Sequence, residues 1–107
     1  MGKHSRLIFP VLALLLASCA GPPSDRYHRS ASHDGSWNVG ATHPRYESLS
    51  PCDHDPSVET AVVSADLPPS HLALRLLPAA TEEDAVRVAD CLRLALTGGE
   101  IWIASPR

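Results

Sequence analysis

Past residue 6 the chain contains no lysine, and its seven arginines are set against twelve acidic residues. A surface of that balance offers no basic footprint for phosphates, which excludes nucleic acid as a partner. It also lacks a polybasic stretch that would hold anionic lipid heads by charge. No apolar run approaches the roughly 20 residues that a membrane-crossing helix needs, the longest being Leu7 to Ala17. The motifs of common catalytic folds are missing as well. No Gly-x-Ser-x-Gly elbow surrounds Ser64, Ser70 or Ser105, and no glycine-rich loop opens a helix to cradle phosphate. These absences predict a protein that is not an enzyme.

What the chain does have begins at its start. Met1 to Arg6 carries Lys3 and Arg6 without an acidic residue, and the apolar run that follows contains only Pro10 as an interruption. This charge-then-apolar order is that of a secretory signal. The run closes on Leu16-Ala17-Ser18-Cys19, which resembles the lipobox of bacterial membrane lipoproteins: an aliphatic residue, two small residues and a cysteine. The resemblance implies a signal peptide over 1–18, a diacylglyceryl group on the Cys19 sulfur, and an N-acyl lipid on the new amino terminus. Two or more chains make an anchor stable where one holds only marginally. Ala20 in the position after the cysteine implies the outer membrane, with the chain facing the periplasm. A second reading stays open, because Ser18-Cys19-Ala20 also fits an ordinary signal-peptidase site that releases a chain beginning at Gly21. Myristoylation at Gly2 fails, since Arg6 stands where that pattern wants Ser or Thr.

Removing the first 18 of 107 residues leaves 89, enough for one small domain, and leaves seven arginines against twelve acidic residues, a formal charge of −5. With Cys19 assigned to lipid, Cys52 and Cys91 remain. An even pair in an exported small domain predicts a disulfide. It would close a loop of about 40 residues, for which the chain-entropy account gives roughly 4 kcal/mol.

The composition then divides the chain. Between Ala20 and Ser57 large apolar or aromatic side chains occur only at Tyr27, Trp37, Val39, Tyr46 and Leu49. So sparse a stretch predicts a flexible, lipid-anchored linker over 19–57, with a reach on the order of 30 Å. Residues 58–107 predict a small α+β domain. Val58 to Ala65 is rich in β-branched residues, the prolines at 68 and 69 make a turn, and Leu72, Leu74 and Leu76 alternate with His71, Ala73 and Arg75. Thr81-Glu82-Glu83-Asp84 resembles a capping box ahead of an apolar stripe of Ala85, Val88, Ala89, Leu92, Ala95 and Leu96. Gly98 and Gly99 are placed to end that helix, and Glu100 to Ser105 reads as a last strand. The expected order is β-β-α-β: one helix on a three-stranded sheet, preceded by a disordered tether.

Two kinds of site suggest themselves. Trp102, Leu94 and Val86 fall off the inward-facing positions and form a candidate contact patch for an envelope protein partner. His33, His43, His54 and Asp55 are candidate ligands for zinc or copper, by the affinity of imidazole and carboxylate for those ions. Their spacing matches no recognised zinc pattern. The expected function is therefore a lipid-anchored envelope lipoprotein acting as a non-enzymatic binding or accessory module. Its only prosthetic group would be the lipid at Cys19, with metal handling as the alternative.

Overall fold

The computed structural model of the protein describes residues 26–106. Strands β1 (His28–Ala31), β2 (Asn38–Tyr46), β3 (Val58–Val63), β4 (His71–Leu76) and β5 (Leu96–Ser105) form one sheet in the order β1-β5-β2-β4-β3. A single helical turn, α1 (Ser50–Asp53), joins β2 to β3, and the long helix α2 (Glu82–Ala95) joins β4 to β5. β1 runs parallel to β5, and every other neighbouring pair is antiparallel.

The three-stranded sheet with one helix behind a disordered tether is thus overturned. β1, β2 and α1 all come from the stretch read as tether. β2 lies between β4 and β5, so the β4-α2-β5 connection joins strands that are not neighbours. The physical reason lies in the few large side chains of that stretch. Val39 and Ala41 of β2 have no exposure. They face Leu74 and Leu72 of β4 on one side and Ile103 and Ile101 of β5 on the other. Tyr27 is buried, and Trp37 and Leu49 pack against the same core. A strand with two paired neighbours also satisfies its backbone groups, which offsets the small side chains it contributes.

Thr81 caps α2: its hydroxyl accepts from the Asp84 amide, and the Asp84 carboxylate accepts from the Thr81 amide at 2.9 Å. Ala85, Val88, Ala89 and Leu92 are fully buried and join the core of Val39, Leu72, Leu74, Leu76 and Ile103. Gly98 and Gly99 do not end the helix as expected. Leu96, extended at ψ 138°, already turns the chain into β5, and both glycines lie within that strand. Gly99 at φ 107° sits where β2 bulges through His43, itself at φ 52°, and the fully buried Pro44. A β-carbon on Gly99 would lie 2.8 Å from the carbonyl oxygens of Thr42 and His43, so the bulge requires glycine there.

The expected disulfide is present. Cys52 of α1 and Cys91 of α2 are bonded, with Cα atoms 5.6 Å apart and a sequence separation of 39. An ionic clamp lies beside it. Arg87 donates to both carboxylate oxygens of Asp55, at 3.0 and 2.9 Å, and to Asp84 at 2.9 Å. The Arg87 guanidinium is the main cause that holds the Asp55 carboxyl well below the usual range. Among the described residues no helix is long and apolar enough to cross a membrane. The leader and Cys19 lie outside the described residues.

Replacing Cys52 and Cys91 together by serine is expected to lower the unfolding free energy by about 4 kcal/mol, read as a fall in urea midpoint that reductant reproduces in the parent protein. Equal midpoints with and without reductant would deny the bridge that role. The clamp has a pH signature too. A carboxyl whose folded pKa is depressed contributes stability above its unfolded value, and loses it as pH falls below about 4 towards the folded value. Asp55→Asn is expected to cost on the order of 1 kcal/mol at neutral pH, because the half-exposed Arg87 head is screened. Its acid unfolding curve should also be flatter than the parent's below pH 4; superimposable curves would show that the clamp contributes nothing.

Candidate functional site

With α2 on one face of the sheet, alternation along the strands assigns the other. The register places Asn38, Gly40 and Thr42 of β2 on that second face beside Arg75, Ala73 and His71 of β4. Ala104, Trp102 and Glu100 of β5 share it, followed by Ser30 and His28 of β1. Neither helix covers it: α2 packs on the opposite core and α1 is bonded to α2.

Trp102 is the large aromatic residue that this register places on the face. It lies against Gly40, where a β-carbon would come within 2.3 Å of the indole Cζ2, 2.8 Å of Cε2 and 2.1 Å of the Leu72 carbonyl oxygen. The ring therefore rests on bare backbone, a cross-strand cover for a strand glycine. Beside it a groove of about 490 Å³ runs over Ala104, Ser30 and Ala31 and is closed at one end by Ser32, His33, Asp34 and Asn38. That volume is within the range of small-molecule sites.

The β1–β2 turn sets the polar end of the groove. Gly35, at φ 76°, lets the chain reverse. The Asp34 carboxylate then accepts from the Ser36 amide and from Asn38 Nδ2, each at 3.1 Å, and faces Arg75 Nε at 3.4 Å. The Ser36 amide foremost, with Asn38 and Arg75, holds the Asp34 carboxyl below its ordinary range. Asn38 Nδ2 also donates to the Ser36 carbonyl at 3.1 Å. Both its protons are thereby engaged, and Oδ1 is left as an acceptor. Ser32 is 7% exposed. Its hydroxyl is near enough to Asp34 to help depress that carboxyl, yet makes no hydrogen bond of proper geometry.

The residues singled out from sequence are scattered over this structure. Trp102 lines the groove, while Leu94 and Val86 are on α2, across the sheet from it. Leu94 is 82% exposed, but Val86 is partly buried against the core. The three do not make one patch. His33 is at the rim of the groove, His43 in the β2 bulge and His54 just beyond α1, all exposed. Asp55 is engaged by Arg87, and Cys52 by its disulfide. Among the described residues no three ligating side chains converge on a point. Asp34, Asn38, Ser32 and Arg75 escaped sequence reasoning. The available signal was Val39-Gly40-Ala41, a glycine between two small apolar residues, with Trp102 in a distant strand to cover it.

Compared with family models, curated proteins and solved structures, the chain matches none.

Gly40→Ala tests the platform on which the groove depends. The added methyl must displace the Trp102 indole and the Leu72 carbonyl, and overpacking of this kind costs roughly 1–3 kcal/mol. The expected result is a lower urea midpoint with a red shift of tryptophan emission in the folded state. An unshifted spectrum at parental stability would show that the ring does not rest there.

Proposed function

We propose that the protein is a lipid-anchored, non-enzymatic binding module of the cell envelope, fixed through Cys19 and presenting the open face of its sheet to an envelope partner. The observation that carries the anchoring is the tetrapeptide Leu16-Ala17-Ser18-Cys19 at the end of its basic and apolar leader. The Cys52–Cys91 bridge supports the location, since disulfides persist in oxidising compartments. Ala20 favours the outer membrane, facing the periplasm. The groove beside Trp102 supports the binding role, being concave, part apolar and furnished with a few convergent polar groups.

The fold changes the geometry of this anchoring. Tyr27 is buried, its hydroxyl donates to Asp90, and burial is the main cause that raises its pKa. Tyr27 is thus docked on the folded body, and Ala20 to Arg26 lie between it and Cys19. Even fully extended, those residues span no more than about 25 Å. The module works next to the leaflet.

Mass spectrometry of the full chain expressed in a bacterium that processes lipoproteins tests the anchor. The expected product begins at Cys19 and carries diacylglyceryl and N-acyl groups, and Cys19→Ser leaves the precursor uncut. A chain beginning at Gly21 overturns the anchoring. For the binding face, a photo-crosslinker placed at Ser30 of the anchored protein should capture an envelope component that the same group at Glu83 on α2 does not; equal capture from both positions overturns the assignment of the face.

A further inference from the structure

We propose, resting on the reading of the open face as the binding surface, that its groove holds one neutral hexopyranose unit of an envelope glycan, seated on the Trp102 indole. The first ground is the ring itself. Gly40 supports it from below, and Trp102 also lines the groove, so a flat, rigid aromatic surface is presented there. The electron-rich face of an indole complements the slightly positive C–H groups on the apolar side of a pyranose.

The second ground is the kind of polar group that surrounds the platform. Asn38 offers Oδ1 with both its amide protons already spent. Asp34 keeps lone pairs beyond those used by Ser36 and Asn38. Ser32, itself almost fully buried, lies at the same end of the groove. The set is rich in acceptors, and a polyol supplies donors at short intervals.

The third ground is charge. Arg75 faces Asp34 at 3.4 Å, so the one carboxylate of the groove already has its counter-charge. A cationic ligand therefore finds no free anion. An anionic one finds no free guanidinium or ammonium among the described residues that line the groove. A neutral ligand with one apolar face and many hydroxyls complements both the indole and the acceptors around it.

The test uses the full lipidated chain, isotopically labelled and held in lipid nanodiscs free of glycolipid. Tri-N-acetylchitotriose, maltotriose, choline, inorganic phosphate and an extended tetrapeptide are titrated separately while the Trp102 indole N–H and Asn38 amide resonances are followed. Saturable shifts with either trisaccharide, at micromolar to millimolar concentrations, are expected. Trp102→Ala should abolish them. Because that change also uncovers Gly40, a second variant, Ser30→Trp, fills the groove from the edge strand and should weaken binding at least tenfold with the fold intact. Saturable shifts with choline, phosphate or the peptide, but with neither trisaccharide, overturn the ligand class while leaving a binding face. Silence with all five probes overturns the proposal, and the crosslinking from Ser30 separately decides the binding face itself.

Discussion

β2 is buried on both of its faces by different means, and the arrangement of the domain follows from that. On one side Val39 and Ala41 meet the helix-covered core with no exposure. On the other the Trp102 indole lies on the backbone of Gly40. A helix can cover one face of a small sheet, and the second face needs some other apolar cover over its central strand. One tryptophan supplies it here, at a position where any side chain larger than hydrogen would collide with both the ring and the Leu72 carbonyl.

This division separates a locked side from an open one. The helix side holds the Cys52–Cys91 bridge, the Arg87 clamp on Asp55 and Asp84, and the Tyr27 hydroxyl bonded to Asp90. Each ties α2 to a different part of the chain: α1, the approach to β3, and the lead-in to β1. The open side carries instead a shallow groove whose polar groups come from one tight turn, in which Asp34 organises Ser36 and Asn38. Rigidity on the first side lets the second present side chains at fixed positions without burying them, as a recognition surface requires.

The parts of this fold legible in the sequence are those with a clean period. Leu72, Leu74 and Leu76 announced β4 by strict alternation, and Thr81 with Asp84 announced the start of α2. β1 and β2 were illegible for a physical reason. All four residues of β1 are exposed, and it is held by pairing with β5 rather than by burial, so its sequence His-Arg-Ser-Ala carries no hydrophobic signature. β2 buries small side chains, a valine, an alanine and a proline among them, and contains a bulge that interrupts its alternation. The composition of the stretch is that of a linker because the strand's neighbours, Leu74, Ile103 and Trp102, bring the bulk. The glycine pair misled for a related reason: Gly98 and Gly99 serve the β2–β5 bulge, a tertiary demand that lies some fifty residues away along the chain. The groove shares this origin, since Asp34 and Arg75 meet only once β2 has aligned β1's turn with β4.

The position of β1, the first strand among the described residues, joins the groove to the proposed anchor. Ser30, Ala31 and Ser32 line the groove and follow within five residues of Tyr27, the first buried side chain among the described residues. A β-strand advances about 3.3 Å per residue, which places the near end of the groove roughly 10 Å along the chain from that point. With Cys19 in a leaflet, the groove would stand within a few tens of ångströms of the lipid surface. Under the proposed anchoring, a module built this way would sample a thin layer above its own membrane. It suits a ligand that is itself confined to that layer better than one that diffuses freely, because two-dimensional confinement raises the effective concentration of partners whose individual affinity is weak. A shallow groove with one aromatic platform has weak intrinsic affinity, so the proposed anchor and the open face would act together, the first supplying by confinement what the second lacks in contact.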